Sequence, residues 1–150
     1  MPRKSASKRR LEIRPLTLKA ANAWISDHHR HSGQSRGHKF SLAVWDREDD
    51  VMVGAAIVGR PIQRNLDDGR ALEVLRVAVF PEGHPLHRKG ACSALYGAAC
   101  RASFAMGYLA VYTYTLRTET GRSLHGAGFV REAEVRGRRR HGWTNRGKGR

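Results

Sequence analysis

Glu73 and Arg76 stand as charged residues inside an otherwise apolar run, Leu72 to Phe80. A carboxylate in an apolar setting has its pKa raised and can act as a general base near neutral pH. The alternative is a structural glutamate paired with Arg76 or Arg60. Directly downstream, Pro81, Gly83, Pro85 and Gly90 punctuate a turn that carries His87, Arg88 and Lys89. A helix reads from about Ala91. Its N-terminus presents unpaired backbone N–H groups and a positive dipole end. Arg88, Lys89, Gly90, Ala91 and Cys92 therefore form a candidate seat for a phosphate or pyrophosphate, or else a plain connection. The third group is His28, His29 and His31, followed by Ser32. Imidazoles bind metals, act as bases or contact phosphate and ribose. They also suit the negative pole of a helix end. Only Asp27 stands beside them, with no Cys or carboxylate cluster at ligand spacing, so no metal site is assigned.

These residues need elements to position them. Leu11 to Leu16 reads as a short strand ended by Pro15, and Thr17 as the N-cap of a helix with Leu18, Ala21, Trp24 and Ile25 on its apolar face. His38 to Trp45 and Val51 to Ile62 form a hairpin of two strands. Leu72 to Phe80 is the central strand, with Val74, Arg76, Ala78 and Phe80 alternating against Glu73, Leu75, Val77 and Val79. The helix from Ala91 repeats small residues at Ala94, Ala98, Ala99 and Ala102, which let it lie close to a sheet. Gly107 closes it. Leu109 to Leu116 is a strand, Ser123 to Ala127 a short helix, and Phe129 to Val135 the last strand. The order is β α β β β α β α β. The strands on either side of the central helix are expected to be parallel.

The chain has 150 residues and a net charge of +15, with 40% hydrophobic residues. That suffices for one domain with a real core and argues against global disorder. No apolar run approaches a membrane span and no signal-peptide pattern is present, so a cytoplasmic protein is expected. Cys92 and Cys100 are eight residues apart on one helix, about 12 Å of rise, too far for a disulfide between them. Both are read as buried thiols. The charge is uneven: residues 1–10 hold five Lys/Arg and no acid, and residues 131–150 hold eight Lys/Arg against two acids. The sequence thus divides into a disordered basic arm (1–10), a folded domain (11–135) and a basic tail (136–150). Basic arms flanking a domain suggest a polyanion, most simply nucleic acid. Arg136, Arg138, Arg139 and Arg140 would hold phosphates with salt-sensitive affinity. Trp143 could stack on a base or pack internally.

The strand, basic glycine turn and small-residue helix resemble the acyl-CoA-binding core of the GNAT acetyltransferases. That family grips the CoA pyrophosphate with a turn reading Gln or Arg, two residues, Gly, one residue, Gly or Ala. The matching register is His87 to Cys92, where Gly90 fits and His87 and Cys92 depart. The element order and the run Ser123 to Phe129 also resemble the family, over about residues 11–135. The resemblance implies a single-domain α/β fold with a mixed sheet and flanking helices. Further motifs are His-His-Arg-His-Ser-Gly at 28–33, Gly-Arg-Pro at 59–61, Asp-Asp-Gly-Arg at 67–70, Leu-Glu-Val-Leu-Arg at 72–76, Ala-Cys-Ser-Ala-Leu-Tyr-Gly-Ala-Ala at 91–99 and Tyr-Thr-Leu at 114–116. Together they resemble a group of phage and prophage GNAT-like proteins, related more distantly to Mom, the phage protein that modifies adenine in DNA.

What the resemblance implies is an acyl-CoA cofactor, acetyl-CoA or another, held by backbone groups of Val77, Ala78 and Val79 and by the turn from Arg88 to Cys92. It implies a base, with Glu73 as the best carboxylate and His31 as the alternative. The family's tyrosine acid falls at Leu124, so Ser123 or Tyr114 would substitute. The likeness to Mom matches His31 and Ser32 to a His-Ser pair and places Arg76 near an arginine of the central strand. His31, Ser32, Glu73, Arg76, Ser123 and Tyr114 are thus expected at one site. Three functions follow: acyl transfer to an amine on nucleic acid or another acidic substrate, Mom-like adenine modification, or a non-catalytic nucleic-acid-binding module.

Overall fold

The computed structural model describes residues 10–28, 33–116, 121–135 and 140–147. The elements run β1 (Leu11–Leu16), α1 (Leu18–His28), β2 (Phe40–Asp46), β3 (Val51–Gly59), β4 (Ala71–Val79), α2 (Ala91–Ala105), β5 (Ala110–Leu116), α3 (Arg122–Gly126), β6 (Val130–Val135) and β7 (Arg140–Asn145), with a 3₁₀ turn at Arg64–Leu66. One sheet of seven strands has the order β1-β2-β3-β4-β5-β7-β6. Only β4 and β5 pair in parallel. The α/β class and the expected order through β6 agree with this sheet. No helix among the described residues is long and apolar enough to cross a membrane.

Three expectations need correction. The first strand is not ended by Pro15, which pairs opposite Leu42 in an edge strand. Proline lacks a ladder donor but is tolerated where one side of the strand faces solvent. The segment 136–150 is not simply a tail: β7 turns back and inserts between β5 and β6. Arg10 is not part of a free arm. It donates to both carboxylate oxygens of Asp46 at 3.0–3.1 Å, and its carbonyl accepts the Arg47 N–H at 2.8 Å.

Helices cover the sheet from both faces. Thr17 caps α1 as expected, its hydroxyl accepting the Ala20 N–H at 3.1 Å, a contact worth about 1 kcal/mol. Ala21 and Ile25 of α1 pack on Ala55, Ile57 and Ala78. On the other face α2 brings Leu95, Tyr96, Ala99 and Cys100 against Leu72, Val74, Val58 and Val111. Fully burying Leu95 contributes roughly 1.5–3 kcal/mol. The strict alternation expected along β4 fails at Leu75. A register shift between Ile57 and Val58 opposes two β3 residues to Val74 and Arg76, which leaves Leu75 as the extra residue of a β-bulge. Such a bulge adds a residue to one strand and resets which side chains face which way. Val77 and Val79 accordingly join Leu72 and Val74 on the α2 side, while Leu75 and Ala78 face α1.

Candidate functional site

The site begins where the sheet comes apart. Strands β4 and β5 pair only at Ala71–Ala110, Leu72–Val111 and Glu73–Tyr112. Beyond that point β4 runs on to Val79 and β5 to Leu116, each still laddered to its outer neighbour, β3 and β7. Thr113 bridges the start of the gap, its hydroxyl donating to the Val74 carbonyl at 3.2 Å. Past it, among the described residues, the inner edge of β4 has no ladder partner. Along Val77–Val79 the backbone N–H and C=O groups that the β3 ladder does not take point toward this open edge, and backbone groups of this kind seek hydrogen-bond partners.

Beyond Val79 the chain turns through residues 80–90 into the N-terminus of α2. Gly90 is the N-cap and takes a left-handed conformation (φ +86°) with no side-chain cap. A residue with a Cβ would be strained there. The fifteen-residue helix thus starts without a side-chain cap; the Ala91 N–H turns back onto the Arg88 carbonyl at 3.1 Å and the Ala94 N–H onto the Gly90 carbonyl at 2.9 Å, and such a helix start is a natural seat for an anion. Lys89 beside it is exposed. Arg88 requires a correction. Its side chain is 15% exposed and turned away, Nε onto Asp46 and Nη2 onto Asp49 at 2.5 Å. Its Nη1 donates to the Pro85 and His87 carbonyls at 3.0 and 3.1 Å. These contacts commit the guanidinium to the protein, so Arg88 fastens the turn, and Lys89 carries the outward charge.

Glu73 lies at the fork of the two strands, 5% exposed, and accepts the Ile62 N–H at 3.0 Å. Arg60 is held by Asp67 at 2.8 Å, and Arg76 donates to the Gly33 and Leu75 carbonyls at 3.0 and 2.7 Å. Tyr112 and Tyr114 alternate along β5 with the buried Val111, Thr113 and Thr115. The Tyr114 phenol donates to Gln63 Oε1 at 3.1 Å. Burial pushes its pKa up, and the charge of Glu73 and then Tyr112 add to the rise. At neutral pH Tyr114 therefore carries its proton beside a carboxylate. Gln63 and Ile62 supply the wall that joins them, a pair the sequence reading missed because neither residue is chemically conspicuous.

Not all expected residues converge. His31 and Ser32 lie outside the described residues, as do Arg136, Arg138 and Arg139, and the Arg140 side chain is likewise not described. Gly33, which follows Ser32, is bound by Arg76, and Ser35 exchanges two 2.9 Å hydrogen bonds with Asn22 of α1. His28 has a local role: it stacks on Trp24 at 3.9 Å and donates from Nδ1 to the Trp24 carbonyl at 2.6 Å. Ser123 sits on α3, its carbonyl accepting the Ser93 hydroxyl at 3.2 Å. Leu124 is buried among Tyr96, Phe129 and the α2 core. Trp143 is 3% exposed, and its indole N–H donates to Thr115 at 2.8 Å. A ring so enclosed packs the core and has no face for a base, which corrects its assignment to nucleic acid. Cys92 is half-buried rather than buried. Burial pushes the Cys100 thiol up to about 12, which makes it inert. Among the described residues no cluster of three metal ligands occurs.

No family model and no curated protein matches the sequence. Solved structures do match. A Bacillus subtilis acetyltransferase in complex with CoA aligns at TM-score 0.65 and 14% identity, over 89% of this chain and 97% of that one. A Salmonella typhimurium protein assigned as an acetyltransferase, with its cofactor acetyl-CoA, aligns at TM-score 0.64 and 16% identity, over 91% and 94%. The acetyltransferase (GNAT family) from Bacillus anthracis aligns at TM-score 0.60 and 14% identity, over 91% and 94%. The likeness lies in the fold, at low sequence identity: this chain has the GNAT fold.

Proposed function

We propose that this protein is an acyl-CoA-dependent N-acyltransferase. The observation that carries the reading is the parting of β4 and β5 after Glu73 and Tyr112, which leaves the β4 edge open ahead of the turn into α2, whose start has no side-chain cap. The residues fit the cofactor. Backbone groups of Val77, Ala78 and Val79 suit the amides of a pantetheine arm. The N–H groups following Gly90, with Lys89 and the dipole of α2, suit a pyrophosphate. Two of the structures with the same fold hold CoA or acetyl-CoA, which supports the same ligand here.

Bound acyl-CoA would supply an acyl group activated as a thioester. Glu73 would take the proton from the acceptor amine, its carboxylate oriented by the Ile62 N–H. Tyr114 would hold a proton on Oη for the departing sulfur. The enclosed fork of the sheet would exclude bulk water and strengthen both interactions. Leu124, at the family's usual tyrosine position, would serve only in packing. Tyr114 is favoured over Ser123 because its charge interaction with Glu73 ties the two groups together.

The acceptor is an amine on a nucleic acid or another acidic substrate. The +15 net charge supports this choice, since such a field concentrates polyanions. Adenine modification in DNA, suggested by the likeness of residues 28–33 to Mom, is the second reading and uses the same site.

The test is calorimetric titration with acetyl-CoA after nuclease treatment. Micromolar binding that weakens about tenfold in Lys89→Glu is expected from losing a charge-assisted contact. No heat at millimolar ligand overturns the reading. Mass analysis of DNA nucleosides from an expressing host then separates acceptors: an added mass on adenine supports the Mom-like reading, and unchanged nucleosides exclude it there.

A further inference from the structure

The contacts of Arg88 lead to a buried carboxylate 42 residues earlier in the chain. Asp46, at the end of β2, is 0% exposed. Its carboxylate receives Arg10, Arg88 and the backbone N–H groups of Glu48 and Asp49 at 3.0 and 3.4 Å. Burial works to raise its pKa, but the Arg10 and Arg88 hydrogen bonds and then the two backbone donors outweigh it, and the carboxyl is held well below its usual range. A buried carboxylate stays charged only when its partners satisfy it this fully.

Arg88 is the half of this network that belongs to the turn. Its fork does three things at once. Nε and Nη2 hold Asp46 and Asp49 of the β2–β3 hairpin, and Nη1 gathers the Pro85 and His87 carbonyls. The guanidinium thus ties two backbone oxygens of the turn to a charge buried in the sheet. Two residues on, Gly90 opens α2 without a side-chain cap. The Ala91 N–H donates to the Arg88 carbonyl at 3.1 Å, so the residue whose side chain is clamped also accepts from the first N–H of α2.

We propose that Asp46 is a positioning residue that, through Arg88, sets the turn 81–90 so that the first N–H groups of α2 meet the pyrophosphate of acyl-CoA. This rests on the acyl-CoA reading above. Arg88 positions and Lys89 touches the ligand. Adjacent arginine and lysine are not interchangeable here, because only the planar fork can serve a carboxylate and two carbonyls together.

The experiment compares two ligands, acetyl-CoA and S-acetylpantetheine, which shares the thioester arm but lacks the pyrophosphate. Asp46→Asn is expected to weaken acetyl-CoA about tenfold, a loss typical of small misplacement of a binding group. It is expected to change S-acetylpantetheine less than about twofold, since the β4 edge is untouched. Equal loss of both ligands, or unchanged acetyl-CoA affinity, overturns the proposal. If Asp46→Asn does not fold, Asp49→Asn leaves Asp46 in place and weakens the solvent-side contact to Arg88, together with the longer one to Arg10. An acetyl-CoA-specific loss of about threefold is then expected, and no loss overturns it. If the wild-type protein binds no acetyl-CoA, the acyl-CoA reading fails on its own. Hydrogen exchange of the ligand-free protein then judges the clamp. Amides of residues 81–91 should exchange about tenfold faster in Asp46→Asn or Asp49→Asn, and unchanged exchange overturns the clamp as well.

Discussion

The two edges of β4 differ in how far they are paired. The edge toward β3 is laddered from Glu73 to Val79, with a bulge at Leu75. Gly54 sits under that ladder because a Cβ there would meet Val44 and Val79 side chains at 2.8 Å. The edge toward β5 is laddered for three residues and then opens. One edge is a closed frame, and the other is open past Glu73. A single strand can do both only if the frame is stiff enough to hold it without help from β5. The Asp46 network stiffens the same side, tying β2 and the turn to Arg10 and Arg88.

Substitutions at the fork should act on chemistry alone. Glu73→Gln is expected to lower turnover by about 10²–10⁴-fold, the range for a general base, with acetyl-CoA affinity within a few-fold of wild type. Steady-state rates with calorimetry check this. Retained turnover would make Glu73 structural. Tyr114→Phe should cost less, roughly tenfold or more, because water can partly replace a proton donor. The raised phenol pKa sets a sign: Tyr114 loses its proton only above its ordinary value of about 10, so activity should show no falling limb from this group below that pH. A pH–rate profile that falls near 8 in the wild type and flattens in Tyr114→Phe would contradict it.

Substitutions in the frame should act on stability. Gly54→Val forces a side chain into Val44 and Val79 and should cost about 1–3 kcal/mol by thermal or denaturant unfolding. Asp46 should shape acid stability. Its native pKa is depressed, so its contribution is fully present above the unfolded value of about 3.9 and is lost as pH falls through the lower native value. Wild-type stability should therefore hold from pH 7 to about 4 as far as this group is concerned. Acid titration should be less steep below that in Asp46→Asn. The smallest effect is expected at Ser123: Ser123→Ala keeps the carbonyl that holds Ser93 and should change turnover less than about twofold.

How much of this was legible in the sequence depends on the range of the interactions. Local signals served well: Thr17 as a cap, Gly90 before a helix of small residues, alternation in β2 and β5, and the apolar run of β3. Glu73 stood out because a carboxylate interrupts an apolar strand. Long-range facts did not show. Arg88 reads as a phosphate ligand from its place in the turn, and only its contacts across 42 residues reveal that it serves Asp46. β7 was hidden because RHGWTN has one large apolar residue, Trp143, and a glycine; its pairing with β5 and β6 comes from topology and not from pattern. The bulge at Leu75 was invisible because it depends on register against β3.

The central claim is that the open edge of β4 and the start of α2 receive one ligand. The most direct measurement is amide hydrogen exchange of the wild-type protein with and without acetyl-CoA. The account predicts that acetyl-CoA slows exchange at Val77–Val79 and across Gly90–Ser93, and leaves the β2–β3 hairpin unchanged. Protection confined elsewhere, or none at saturating ligand, would contradict it.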